Sequence, residues 1–280
     1  VKYNGVLVAE IVPEGSLIAG QSSVVELDAW NWEDAAYKTD LGIHIYWPRW
    51  RHNEKAKESR KKKVQKLDQI FLEAMAYSRK QDHELVNLKY EAMRGLFDGT
   101  KKAFVHAQNA ADMVEAVQFM KRYNVKVVLV GASQSAQIVS FLKEHKTEIV
   151  LVRTQKLPST RDAAYDEIYK TPKILRDSGI MYCIADEESW QQRNLPFQAG
   201  SAVAFGLDTE DALSALTQNT AKIYGLSKLG TLEVGKDATI VVSAGDILDM
   251  RTNQITLAMI RGKVLDMSNH QKMLYDKYRK

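Results

Sequence analysis

Residues 103–131 read AFVHAQNAADMVEAVQFMKRYNVKVVLVG and contain one complete β–α–β repeat. The apolar run 103–105 precedes a helical pattern over about 109–124, and a second apolar run follows at 127–130. Asn109 is a typical N-cap for this helix. The apolar side chains of the helix recur at helical spacing and predict one buried face: Ala110, Met113, Val114, Val117 and Met120. Short, continuous apolar runs separated by helices predict parallel strands that are covered on both faces.

The same alternation extends in both directions from this repeat. Downstream, apolar runs at 149–152 and 180–184 alternate with helical patterns near 164–178, 196–206 and 209–223. Upstream, three more strands are predicted at 6–12, 23–28 and 42–47, and a long charged helical stretch covers about 54–98. Repeated β–α units form either a doubly wound sheet or a (β/α) barrel. Seven candidate strands are one short of a closed eight-stranded barrel.

The pattern changes after Gly225. Residues 238–242 and 255–260 are predicted to be strands, Gly262 and Lys263 are predicted to form a turn, and the last dozen residues have a helical pattern. This is a small β unit, not another β–α repeat. We therefore divide the chain into residues 1–226, a (β/α) barrel, and residues 227–280, a small β unit with a C-terminal helix.

Composition and charge narrow the function classes. The 280 residues are 45% apolar and 26% charged, which is typical of a globular protein, and the net charge is only +4. The single cysteine, Cys183, excludes a disulfide within the chain, and no apolar run approaches the roughly 20 residues of a membrane span. Glutamates interrupt the basic stretch 49–63, so a solvated helix face is favoured over a phosphate-binding surface. We expect neither a nucleic-acid partner nor a membrane.

Functional side chains of a (β/α) barrel lie at the C-terminal ends of its strands. The strand ends in this sequence carry His106, Gly131, Arg153 and Asp186. Imidazole and carboxylate are both good zinc ligands, and an aspartate can also act as a general base. From spacing alone, the alternative is a hydrogen-bonded histidine and a capping aspartate. His44 lies inside a predicted strand, and alternation directs it toward the barrel interior as a core or rim histidine.

The C-terminal part of the chain carries a more specific pattern. Residues 229–242, LGTLEVGKDATIVV, closely resemble the tail motif of the amidohydrolase superfamily. Residues 212–226 resemble the helix motif that precedes this tail, with Thr220 where proline is common. Residues 193–207, and His106 followed by Asp112, are similar to the imidazolonepropionase-like branch. Together the motifs cover about residues 100–265 in the expected order.

The resemblance implies a (β/α)8 barrel with a small β-sandwich and one or two divalent metals, commonly zinc. In this family a metal-activated water attacks an amide, a cyclic amide or a related C–N bond of a small substrate. Carried over by position, His106 matches the fifth-strand metal ligand. Asp186 matches the eighth-strand aspartate, which binds metal and shuttles the proton.

Two positions depart from the family pattern. No His-x-His pair, which the family carries on its first strand, occurs in these residues, so we expect that strand upstream of Val1 and the barrel to be incomplete at its N-terminus. The position of the sixth-strand histidine holds Gly131. Catalytic zinc normally has three protein ligands, and His106 with Asp186 supplies two. We therefore expect this truncated chain to hold zinc weakly and to hydrolyse nothing at a useful rate.

These departures leave two functions open. One is a metal-dependent amidohydrolase acting on a cyclic amide or a peptide-like substrate, and the other is a catalytically inactive binding or scaffold domain of a larger protein. An exposed sandwich edge would favour a homo-oligomer. The compartment, cytoplasm or periplasm, stays open.

Overall fold

A computed structural model describes residues 2–80, 82–158, 163–188 and 190–279. The N-terminal elements are β1 (Val8–Ile11), β2 (Leu17–Gln21), β3 (Ser23–Glu26), α1 (Trp32–Ala35) and β4 (Ala36–Lys38). Strands β1, β3 and β4 form a small antiparallel sheet in the order β1-β3-β4. Strand β2 leaves this sheet and joins the central one.

The central sheet contains six strands. It continues with β5 (Gly42–Tyr46), α2 (Glu54–Arg79), α3 (Leu88–Phe97), β6 (Lys102–Ala107), α4 (Ala110–Arg122), β7 (Val127–Gly131), α5 (Val139–Glu144), β8 (Glu148–Val152), α6 (Glu167–Asp177) and β9 (Tyr182–Ala185). The strand order is β2-β5-β6-β7-β8-β9; β2 is antiparallel to β5, and all other neighbours are parallel. The predicted parallel β–α core is confirmed. Within the described residues this sheet does not close into a barrel.

The assignment of 6–12 and 23–28 to the barrel was wrong. Their described strands, β1 and β3, belong to the small antiparallel sheet instead. In β3 only Val24 and Glu26 are buried, an alternation typical of a one-sided antiparallel sheet, whereas Gly42 to Ile45 of β5 are buried continuously, as parallel strands require. The sequence analysis also missed β2, which provides the antiparallel edge of the central sheet.

Each face of the central sheet carries its own apolar layer. Alternate side chains such as Val105, Leu129 and Leu151 pack with the flanking helices, including Phe71 of α2 and Met113 of α4. The opposite side chains form a second, inner layer: Phe104, Val128, Val130, Val150, Val152 and Cys183, with Val24, Leu41, Tyr224 and Leu226. Because strand side chains alternate, every even-numbered residue of β6 faces this inner layer.

The C-terminal part contains α7 (Leu195–Ala204), α8 (Thr209–Leu216), α9 (Gln218–Tyr224), β10 (Ile240–Ser243), β11 (Ile255–Ile260), β12 (Lys263–Val264) and α10 (His270–Tyr278). Strands β10, β11 and β12 form an antiparallel sheet whose buried residues pack with Leu7 and Val8. A Cβ on Gly200 of α7 would lie 2.1 Å from the Leu248 carbonyl oxygen, so the segment between β10 and β11 packs closely on α7. The division at residue 226 stays a prediction.

No helix among the described residues combines the length and apolarity that crossing a membrane requires.

Arg60, in the basic stretch 49–63, makes contacts inside the protein. The Arg60 guanidinium pairs with Glu115 and lies 3.6 Å from Asp112 Oδ1, while its Nε donates to the Pro48 carbonyl at 3.0 Å. Asp112 is only 2% exposed, and burial raises the pKa of its carboxyl group. Arg60 therefore attaches α2 to α4 by neutralising a buried carboxylate.

We expect Arg60→Gln to lower the free energy of unfolding by about 3 kcal/mol, because it leaves the buried Asp112 carboxylate without its guanidinium partner. Urea denaturation of both proteins measures the difference. Lys62→Gln is the matched control, since Lys62 pairs with Glu58 on the exposed face of the same helix and such pairs contribute less than about 1 kcal/mol. Equal effects of the two substitutions would contradict an internal role for Arg60.

Candidate metal and acid–base site

His106 lies near the C-terminal end of β6 and faces the inner layer of the central sheet. Its ring stacks on Tyr46 of β5 with ring centroids 4.1 Å apart. Burial, and after it the neighbouring His44, lowers the pKa of His106 to about 4. At neutral pH the imidazole is therefore uncharged, which is the form that binds a metal ion.

His44 and Glu10 extend this histidine into a chain of three polar side chains. His44 Nδ1 lies 3.0 Å from His106 Nε2, and His44 Nε2 donates to Glu10 Oε1 at 3.1 Å. The His44 ring is 1% exposed and stacks on Phe104 at 4.9 Å. The prediction that His44 faces the interior agrees with this placement, and the structure adds two polar partners that the sequence did not indicate.

Glu10 lies at the outer end of this chain and also faces Tyr224 of α9. Burial, and then the Glu10 carboxylate, raises the pKa of Tyr224 well above its ordinary value. The Tyr224 ring stacks on Phe104 at 5.3 Å, so aromatic rings enclose the polar chain on its inner side. Glu10 comes from β1, and the small antiparallel sheet therefore contributes directly to this site.

Asp186 follows β9 directly and is held by α7. Its Oδ2 accepts from Gln198 Nε2 at 2.6 Å, and its Oδ1 accepts from the Glu188 backbone N–H at 3.0 Å. Gln198 is 1% exposed, and its side-chain Oε1 accepts from the Thr154 hydroxyl at 3.1 Å and from the Gln155 backbone N–H at 3.0 Å. The carboxylate orientation is thus fixed by a buried amide that is itself anchored after β8.

His106 and Asp186 lie at the ends of two strands of the central sheet that are not neighbours. In register, His106 is level with Val130, Val150 and Cys183, so β7 and β8 separate the two residues. Three strand spacings measured along a sheet correspond to about 14 Å. Across the described ranges, no three His, Cys, Asp or Glu side chains are grouped so that they could hold a metal ion. A shared site of His106 and Asp186 stays a prediction.

A hydrogen-bonded cluster surrounds Gly131, the residue at the position of the missing sixth-strand histidine. A Cβ at Gly131 would lie 2.2 Å from Gln108 Nε2, so the Gln108 side chain fills the space that a larger residue would need. The Ser133 hydroxyl donates to Gln108 Oε1, and Lys156 Nζ donates to Ser133 Oγ at 2.8 Å. Burial lowers the pKa of Lys156.

Sequence reasoning missed Glu10, Gln108 and Lys156. Gly131 offered the one available signal for Gln108, because a glycine at the end of a strand often marks a close approach by another group. Glu10 and Lys156 are ordinary charged residues in their local sequence. Only the folded contacts single them out.

Residues 33–265 match the amidohydrolase family model, and the chain belongs to this family. The superfamily recognised from the tail motif is thereby confirmed, while the imidazolonepropionase-like branch stays a prediction. No curated protein matches the chain.

One of three similar solved structures shows a shared fold. An amidohydrolase from Thermotoga maritima is 24% identical with a TM-score of 0.79, and the match covers 94% of this chain and 73% of that one. A β-aspartyl dipeptidase from Fervidobacterium islandicum is 14% identical (TM-score 0.46; 64% of this chain, 49% of that one). The L-hydantoinase of Arthrobacter aurescens is also 14% identical (TM-score 0.43; 65% and 66%). The first likeness shows a shared fold, and none of the three identifies a substrate.

The lowered pKa of His106 predicts a pH dependence of stability in the metal-free protein. Because the folded pKa of about 4 lies below the ordinary value of 6.5, the unfolded chain binds more protons between these values. The contribution of His106 is therefore complete above pH 6.5 and is lost as the pH falls toward 4, by up to roughly 3 kcal/mol. We expect His106→Asn to flatten this loss, as measured by urea unfolding at a series of pH values. Parallel curves for the two proteins would contradict the assignment.

The tight space at Gly131 predicts a cost for any side chain there. Its φ of +93° is unfavourable for other residues, and the added Cβ meets Gln108. We expect Gly131→Ala to lower the free energy of unfolding by about 1–3 kcal/mol. In a double-mutant cycle, Gln108→Ala should relieve the contact part of this cost and leave the backbone part. Strict additivity would show that Gln108 does not fill the position.

Proposed function

We propose that this chain belongs to a metal-dependent amidohydrolase that hydrolyses C–N bonds of a cyclic amide or a related small substrate. Membership of the amidohydrolase family supports the reaction class. The observation that carries the proposal is His106, an uncharged, largely buried imidazole on a parallel strand, at the position that matches the family's fifth-strand ligand.

His106 fits a divalent cation, for which we propose zinc. The ring is desolvated and uncharged, stacking on Tyr46 fixes its plane, and a second imidazole lies beside it. When bound, the cation would polarise the substrate carbonyl and make water easier to deprotonate. Because the described residues supply no complete ligand set, part of the coordination is left for water, substrate or ligands outside these contacts.

Asp186 is proposed as the general base and metal-site aspartate. One of its carboxylate oxygens would accept a proton from the attacking water and return it to the leaving nitrogen. Gln198 and the Glu188 backbone N–H hold the carboxylate plane, which restricts the directions from which the proton can arrive. For this role the Asp186 side chain has to reach the inner layer from the end of β9.

The whole protein is proposed to form a (β/α)8 barrel that includes the parallel strands β5 to β9, within residues 1–226, and a β-sandwich that includes part of residues 227–280. The five parallel strands and the separate sheet of β10, β11 and β12 support this arrangement. A small-molecule substrate and a homo-oligomer are proposed on the same basis. Neither a nucleic acid nor a membrane is proposed as a partner.

A second candidate function is an inactive amidohydrolase-like domain that binds small molecules or other proteins. Gly131 favours it, since the Gln108 side chain, hydrogen-bonded to Ser133, fills the position where the family pattern has another histidine. Such a domain would keep the fold and the pocket residues while lacking turnover.

To test catalysis, the full-length protein is loaded with Zn²⁺ and assayed on a panel of five- and six-membered cyclic amides, with ring opening followed by absorbance. We expect hydrolysis that a chelator abolishes, and His106→Asn and Asp186→Asn to lower kcat/KM by at least about 100-fold. Elemental analysis of the same samples reports the metal content of each.

Asp177→Asn is the matched control, because Asp177 is an exposed carboxylate at the end of α6 that pairs with Lys173. It should retain activity within about twofold, as substitutions away from buried or functional features normally do. Substrate binding without turnover in the zinc-loaded protein would support the inactive domain. Hydrolysis that survives both site substitutions would overturn the assignment of His106 and Asp186.

A further inference from the structure

The contact between His44 and His106 joins two ring nitrogens at the centre of a buried polar chain. His44 Nδ1 and His106 Nε2 face each other at 3.0 Å from adjacent strands. Stacking on Phe104 orients the first ring, and stacking on Tyr46 orients the second. Both nitrogens are therefore held in place by packing on rigid strands.

Glu10 determines which nitrogen of His44 carries the proton. The carboxylate can only accept, so His44 Nε2 carries a hydrogen, and in the neutral ring Nδ1 then carries a lone pair. This lone pair points at His106 Nε2. A proton on one of the two facing nitrogens or a cation between the rings has to complete the contact, because two lone pairs directed at one another repel.

We propose that His44 is a second protein ligand, so that His44 Nδ1 and His106 Nε2 hold one divalent transition-metal ion with Glu10 as the outer carboxylate. This inference rests on the proposed function because it takes His106 as a ligand. It adds His44 and Glu10, for which the family resemblance gave no role.

The geometry suits such an ion. Two nitrogen ligands at about 2.0–2.1 Å from a tetrahedral zinc ion lie roughly 3.3 Å apart, so small ring rotations from the observed 3.0 Å are sufficient. A ligating histidine commonly donates its other ring N–H to a carboxylate, which is the relation of His44 to Glu10. Two imidazoles select zinc, cobalt, nickel or copper over magnesium or calcium.

Glu10 reaches the histidine pair from a separate sheet. Its side chain is 13% exposed, and it comes from β1, a different sheet from the two histidines. A carboxylate brought to a buried imidazole by a separate element makes that imidazole a stronger electron donor.

Cobalt provides a direct test, because Co²⁺ in a nitrogen-containing site of low coordination number gives visible absorption bands. Metal-free protein is titrated with Co²⁺, and the bands and the dissociation constant are recorded for the wild type and for His44→Phe, His106→Asn and Glu10→Gln. We expect each histidine substitution to weaken binding at least 100-fold by removing a ligand, and Glu10→Gln to weaken it about 10–100-fold.

His83→Phe is the matched control, since His83 also stacks on an aromatic ring, Tyr77, at 3.6 Å but lies outside this cluster. It should leave the cobalt spectrum and affinity unchanged. Circular dichroism checks the folding of every variant, and His44→Gln replaces His44→Phe if the latter does not fold.

The outcomes separate the two proposals. Loss of binding in His106→Asn with full retention in the His44 variant would overturn the role of His44 and leave the proposed function standing. Absence of Co²⁺ binding in the wild type, or full retention in both histidine variants, would overturn both and assign the contact to a shared proton. A Glu10→Gln variant with wild-type affinity would overturn the role of Glu10.

Discussion

The burial of both faces of the parallel sheet is the constraint on which the rest of the structure depends. Parallel strands have no solvated face, so each of β5 to β9 needs one set of apolar side chains for the helices and another for the inner layer. A polar side chain that faces the inner layer can be accommodated only if other groups satisfy its hydrogen bonds. His44 and His106 are such residues, and each provides part of what the other needs.

This constraint explains why the small antiparallel sheet matters to the site. Strand β1 pairs with β3 and carries Glu10 to the buried end of the histidine pair. Glu26 of β3 is likewise buried, and its partner is Arg261 from the turn after β11. The N-terminal segment therefore closes the inner layer on one side and is attached to the C-terminal sheet on the other.

The sequence predicts the parallel core well because apolar runs such as 127–130 and 149–152 are continuous and bounded by clear helical periodicity. It also places His106 and Asp186 at strand ends, and the structure agrees. It fails at the N-terminus, where 6–12 and 23–28 look like further strands of the same kind. Sheet membership depends on partners distant in sequence, and four-residue strands carry too little periodicity to reveal them. Glu10 was missed for the same reason, since its partner is 34 residues away.

The filled space at Gly131 and the histidine pair can be understood together. In a parallel sheet, β6 has two neighbours at the same spacing of about 4.8 Å, so a ligand can be paired with His106 from either side. On the β7 side, the Gln108 side chain occupies the space at Gly131 and accepts a hydrogen bond from the Ser133 hydroxyl. On the β5 side, His44 Nδ1 lies 3.0 Å from His106 Nε2, and the other ring nitrogen of His44 contacts the Glu10 carboxylate. Loss of a ligand on one neighbouring strand is thus compatible with metal binding, provided that the other neighbour supplies one, and His44 is placed to do so.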